Sequence, residues 1–131
     1  MRCIMNNFSE CDVLVVGGGP AGSTIASLLA QQQRHVVVLE KERFPRFHIG
    51  ESLLPLNLPL FERLGVADEV RRIGVYKPGA ELISDAQEAA GTFRFSDTPY
   101  LSVGYSYHVR RAEFDKLLLD NSRRLGAEVR E

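Results

Sequence analysis

Two short apolar runs mark the first part of the chain. Cys11–Val16 (CDVLVV) and Val36–Leu39 (VVVL) are rich in valine and carry no alternation, which predicts strands buried on both faces. Between them, Gly17–Gly22 (GGGPAG) breaks the pattern. Ala21–Gln32 then takes helical spacing, with Ile25, Leu28 and Leu29 on one side and small residues at Ala21, Gly22 and Ala26. Strand, glycine turn, helix, strand is the order of a parallel βαβ crossover.

Beyond Glu40 the pattern changes. Residues 42–52 (ERFPRFHIGES) read as a polar and aromatic loop. Leucines at 56, 60 and 64 predict a helix over Leu53–Leu64 that starts near Pro55, with Pro59 shifting its start or kinking it. Ala67–Ile73 predicts a second short helix. Gly79–Ser84 and Gly91–Phe95 predict an antiparallel hairpin joined by the polar residues Asp85–Ala90, and Tyr107–Val109 predicts a short extended piece. Arg111–Leu125 is an amphipathic helix with Phe114, Leu117, Leu118 and Leu125 on its apolar stripe, and Gly126 stands at its C-terminal cap. Ala127–Arg130 opens a further strand, expected to be the third parallel strand of the first sheet. The fold class is therefore α/β: a Rossmann-like βαβ domain with a small antiparallel hairpin. Residues 1–10 are an irregular leader, 11–40 the βαβ unit, and the whole of 1–131 the N-terminal part of one such domain. A sequence that stops within a strand is expected to be part of a larger fold, with a sheet edge left open to self-association.

Composition narrows the partners. Sixteen Lys and Arg stand against 17 Asp and Glu, for a net charge of −1, and no basic patch points to nucleic acid. No apolar run is long enough to span a bilayer, and polar residues at Asn6, Asn7, Ser9, Glu10 and Asp12 interrupt any signal-peptide core. The expected location is the cytoplasm, with Cys3 and Cys11 as reduced thiols and no metal-ligand spacing.

The glycine turn carries chemistry because of its context. Gly17 permits a tight turn off the first strand. Gly19 keeps side chains away from a bound pyrophosphate, and Gly22 allows close helix packing. Pro20 fits the first helical position, and Ala21 follows it in the turn whose free N–H groups and dipole attract phosphate. Glu40, at the end of the second strand, is placed to accept hydrogen bonds from ribose hydroxyls and disfavours NADP. Gln33 stands where such helices often end on glycine, which predicts a strained turn. A glycine turn without ligand is the plain alternative. His35 reads as a cap of the first helix.

The run from Val38 through Leu39-Glu40-Lys41 into Phe44-Pro45-Arg46-Phe47-His48-Ile49-Gly50-Glu51-Ser52-Leu53-Leu54-Pro55 resembles the flavin-dependent halogenases and monooxygenases, and their geranylgeranyl-reductase-like relatives. His108–Asp115 is similar to that family's V-x-R-x-x-F-D segment. The resemblance implies FAD as cofactor. Gly17, Gly19, Pro20, Ala21, Gly22, Glu40 and Lys41 would serve its ADP half. Arg46, Gly50, Glu51 and Ser52 belong to a loop lying along the flavin, and the arginine matching Arg111 contacts the cofactor. At a helix N-terminus a cation needs an anion to offset the dipole, which suits a phosphate partner for Arg111; a salt-bridged arginine is the alternative. Lys77 matches in placement the lysine with which halogenases hold an oxidised halogen near the substrate, against the plain reading of a surface lysine.

The activity so implied uses reduced flavin and oxygen on a small organic substrate, with a flavin reductase or NAD(P)H as electron source. Reduction of isoprenoid double bonds is the sibling reading. The family's later Gly-Asp motif and its tryptophan motif W-x-W-x-I-P do not occur in these 131 residues, which contain no Trp. A non-catalytic nucleotide-binding fragment and an NAD-dependent dehydrogenase are the competing readings, and the Phe44–Pro55 loop argues against the latter.

Overall fold

The computed structural model describes residues 10–84, 86 and 89–131; Cys3, the rest of the leader up to Ser9, and Asp85, Gln87 and Glu88 of the hairpin connection lie outside them. Strand β1 (Val13–Val16), helix α1 (Pro20–Gln31) and strand β2 (Val36–Leu39) form the expected crossover. Helix α2 (Leu58–Leu64) follows a single 3₁₀ turn at Pro55–Asn57, so Pro59 falls in the first turn of α2, where its missing N–H leaves no gap. Helix α3 (Ala67–Ile73), strands β3 (Val75–Lys77), β4 (Gly79–Ser84), β5 (Ala89–Arg94) and β6 (Ser106–His108), helix α4 (Arg111–Arg124) and strand β7 (Glu128–Arg130) complete the order.

The main sheet is parallel, in the order β1-β2-β7. The last strand is thus the third parallel strand. β4 and β5 pair antiparallel from Gly79↔Arg94 to Ser84↔Ala89. β3 pairs with β6, placing Val75 opposite His108 and Lys77 opposite Ser106. The sequence assigns no element to Val75–Lys77, because three residues carry too little pattern to announce a strand.

Two apolar clusters meet at α4. Leu58, Phe61, Leu64, Val70, Val109, Phe114 and Leu118 form one; Ala26, Ala30, Val36, Val38, Leu119 and Ala127 form the other. Phe61 and Phe114 meet edge to face at 5.6 Å. α4 therefore faces α2 with one set of side chains and the sheet with the next.

The structure corrects the sequence reading of β1 and of His35, and adds detail to that of α1. β1 is not buried on both faces: Val13 and Val15 turn inward, whereas Leu14 and Val16 are exposed, because α1 and α4 cover a single face of the sheet. In α1, Leu28 and Leu29 pack at the margins of the two clusters, and the small residues make the close contacts. Ser23, Ala26, Ser27 and Ala30 are buried and Ile25 is exposed, since small side chains let α1 approach the sheet and α4 closely. His35 does not cap α1; Gln32 does, and the imidazole Nε2 faces Glu128 at 3.9 Å. Gln33 adopts φ 62°, and Gly126, at φ 109°, follows α4. No helix of the described residues is long and apolar enough to cross a membrane.

Candidate functional site

The site grows from the turn between β1 and α1. Gly17 has φ 101°, a conformation that disfavours any side chain. A Cβ on Gly22 would stand 1.9 Å from the Gly17 carbonyl oxygen, so helix and turn touch through bare backbone. Pro20 occupies the first turn of α1, and Gly19 is its N-cap in extended conformation, with no capping side chain and no acid in the first turn. The first intrahelical bond runs from Ser23 N–H to the Gly19 carbonyl at 2.9 Å. Helix geometry leaves the N–H groups of Ala21 and Gly22 without intrahelical acceptors, aimed out of the helix end.

Glu40 closes the turn from the far side. Its Oε2 accepts a 2.6 Å hydrogen bond from Gly18 N–H and its Oε1 a 2.9 Å bond from Glu42 N–H. Burial works against its ionisation. The Gly18 and Glu42 N–H bonds, the Arg46 charge and the Lys41 amide outweigh burial and hold the carboxyl below the ordinary range. The folded group is then the stronger acid. Its contribution to stability is complete above the range where the unfolded carboxyl titrates, and is lost as the pH falls through the lowered folded value. Unfolding measured on the native chain and on Glu40→Gln should therefore differ most at neutral pH. The gap should close in acid; a gap constant with pH contradicts this role.

Arg46 supplies the cation. Its side chain is only 14% exposed, its guanidinium lies 4.7 Å over the Phe44 ring, and Nη2 is 3.5 Å from where a Cβ on Gly19 would be. Glu42 lies 3.1 Å from Nε, and Asp115 lies 3.6 Å from Nη2. Yet Nε and Nη1 are buried with no aligned hydrogen-bond acceptor. A buried guanidinium with unused donors, beside bare glycine backbone and an uncapped helix N-terminus, fits a diphosphate. Glu40 at the strand end fits the adjoining ribose. The residues present therefore fit the ADP half of FAD. Lys41 is exposed beside Glu40.

Arg111, at the start of α4, is paired within its own helix and lines the cleft beside α1. It forms a two-pronged pair with Asp115, Nε to Oδ1 at 2.7 Å and Nη2 to Oδ2 at 2.9 Å, and Nη1 donates to the Ile49 carbonyl at 2.8 Å. The anion that offsets its charge is one turn along its own helix. Arg111 thereby ties the loop of Gly50, Glu51 and Ser52 to α4, and Val109 N–H donates to the Glu51 carbonyl at 2.9 Å. A cleft of about 320 Å³ runs between the start of α1 and this loop, lined by Pro20, Ala21, Thr24, Gly50, Leu53 and Arg111 among others. A second, apolar cleft of about 340 Å³ lies between α2, α3 and Tyr105–Tyr107, away from the glycine turn.

Lys77 is buried, at 8% exposure, and not a surface lysine. Its Nζ donates to Ser52 Oγ and, at 3.4 Å, to the Leu53 carbonyl, and it lies 5.1 Å from the Phe95 ring centre. No carboxylate pairs with it among the described residues. Pairing of β3 with β6, and the bridge from Ser52 to His108, bring Lys77 and Ser52 together. The contact was not legible in sequence because β3 was not. Asp115 closes the V-x-R-x-x-F-D segment but was given no site role, although a carboxylate inside the apolar stripe of α4, four residues after Arg111, was a usable signal.

A parallel βαβ unit with this turn, acid and arginine defines a dinucleotide-binding domain of the flavoprotein kind. Residues 10–131 match the family model described as FAD binding domain, and the chain belongs to that family, with FAD as its cofactor. A tryptophan 2-halogenase of Chondromyces crocatus is 42% identical over 121 residues, 92% of this chain and 22% of that protein. Flavin-dependent halogenase armH4 of Armillaria mellea is 43% identical over 127 residues, 92% of this chain and 23% of that protein. Among solved structures, the myxobacterial chondrochloren halogenase CndH superposes with a TM-score of 0.84 at 43% identity, over 92% of this chain and 28% of that one. CmlS, a flavin-dependent halogenase, superposes at 0.83 with 36% identity, over 95% of this chain and 23% of that one. The chain spans less than a quarter of the length of these two curated relatives.

Proposed function

We propose that this chain is the cofactor-holding part of a flavin-dependent halogenase acting on a small, electron-rich organic substrate. The observation that carries the reading is Lys77: a buried ammonium held by Ser52 and the Leu53 carbonyl, without a carboxylate partner among the described residues, in a chain whose relatives are named halogenases. Bound FAD, once reduced, supplies the electrons for oxygen activation.

The rest is work for this chain's residues. Glu40 accepts hydrogen bonds from the adenosine ribose. Gly17, Gly19, Pro20, Ala21 and Gly22 shape the turn, and the Ala21 and Gly22 N–H groups with Arg46 bind the diphosphate. Lys41 adds charge at the rim. Arg111, itself held by Asp115, fixes Gly50, Glu51 and Ser52 along the flavin. Lys77 Nζ donates a hydrogen bond to an oxidised halogen and orients it toward the substrate carbon; an ammonium does this as a compact charge. A flavin reductase or NAD(P)H is the electron source and the cytoplasm the setting. Leu14 and Val16 are exposed on β1, which pairs with β2 alone among the described residues, and they favour self-association.

The test supplies the protein with FAD, a flavin reductase, NAD(P)H, oxygen and chloride or bromide, together with a panel of pyrroles, indoles and phenols, and follows product mass. Halogen incorporation is the expected result. Hydroxylated product without halogen would replace halogenation by monooxygenation, and saturation of an isoprenoid double bond would replace it by the reductase reading. FAD binding with no product of any kind would leave a nucleotide-holding role alone.

A further inference from the structure

Asp115 is fully buried, at 0% exposure, and sits in the second turn of α4. A buried carboxylate persists only where cations and donors answer it. Both of its oxygens are taken by Arg111, at 2.7 and 2.9 Å, and Oδ2 also lies 3.6 Å from Arg46 Nη2. One anion thus stands where two guanidinium groups converge. One of them points at the Gly19 backbone, and the other holds the Ile49 carbonyl of the loop that carries Ser52.

The arrangement does not serve the helix. A cation in the first turn opposes the helix dipole, and Arg placed N-terminal to Asp at a spacing of four is the weaker orientation of such a pair. A local cost of this kind is expected where a site needs the geometry. Without Asp115 the two guanidinium groups would lose the anion they share, and Arg46 would keep only the half-exposed Glu42, 3.1 Å from Nε, and the charge of Glu40.

We propose that Asp115 is the positioning residue of the dinucleotide site: through one buried carboxylate it sets Arg46 at the glycine turn and Arg111 on the loop from Ile49 to Ser52. The inference rests on the reading that Arg46 faces the diphosphate.

ADP and adenosine titrations, followed by amide NMR shifts on the folded chain, separate the two ideas. In Asp115→Asn the affinity for ADP should fall about tenfold or more, as when a buried charge pair loses one partner. Adenosine, held by Glu40, should bind as before. In an Arg46→Met background, Asp115→Asn should cost ADP affinity little more, because the carboxylate acts through Arg46. If Asp115→Asn does not fold, Asp115→Glu keeps the charge and displaces the carboxylate by a methylene, with the same selective loss expected. Unchanged ADP affinity in the folded variant, or equal losses for ADP and adenosine, overturns the proposal. If Arg46→Met binds ADP normally, the diphosphate reading itself is wrong. If Arg46→Met loses ADP while the Asp115 variants do not, that reading stands and the role of Asp115 falls.

Discussion

Gly22→Ala is expected to abolish FAD binding and to destabilise the chain by more than the about 1–3 kcal/mol that over-packing usually costs. The added methyl would lie 1.9 Å from the Gly17 carbonyl oxygen and 3.2 Å from Val15 Cγ1. The first of these is backbone and cannot rotate away. Relief requires α1 to move off the sheet, and that movement carries the Ala21 and Gly22 N–H groups away from where they meet a phosphate. Stability and affinity therefore fall together. Gly91→Ala is the internal control: a Cβ there meets nothing within 4 Å, the residue is exposed, and the change should stay within about 0.5 kcal/mol. Thermal unfolding and flavin fluorescence on both variants check the contrast. A Gly22→Ala chain that binds FAD normally would mean that the turn does not hold the cofactor.

Lys77→Met is the second large effect, and it should separate chemistry from binding. Methionine roughly conserves the buried volume, which limits the packing cost. The lost donors leave Ser52 Oγ on an exposed residue, where water can replace the ammonium. Lys77 does not line the cleft beside the glycine turn, so FAD affinity should be nearly unchanged. Halogenation should fall by the about 10²–10⁴-fold typical of losing a positioned proton-donating group. Lys77→Arg should fail as well, because a planar fork cannot take the place of a compact ammonium in a closed site. Product formation by the methionine variant at more than a tenth of the unaltered rate would remove Lys77 from the mechanism.

Much of this was legible in the sequence, for reasons that can be named. The βαβ unit announced itself because two valine runs, a glycine turn and an acid must occur in that order for the crossover to form and hold a dinucleotide. Gln33 was read as strained from its position alone and does adopt positive φ. What escaped depends on long-range pairing. Strand β3 is three residues long and exists because β6 is its partner, so neither the burial of Lys77 nor its contact with Ser52 had a local signal. The periodicity of α1 marked Leu28 and Leu29, which pack at the margins of the clusters, but not that the close approach is made by Ser23, Ala26, Ser27 and Ala30. Arg111 was read toward phosphate or a salt bridge, and its nearest anion is Asp115, which the sequence showed as the last residue of the V-x-R-x-x-F-D segment without a role of its own.

The direct measurement is a titration of the purified chain with FAD, followed by flavin fluorescence, with ADP as competitor and NAD in parallel. Saturable FAD binding, displaced by ADP and much tighter than NAD binding, is the predicted result. No saturable binding, or equally loose binding of FAD and NAD, would contradict the assignment of Gly17–Gly22, Glu40 and Arg46 to the ADP half of FAD.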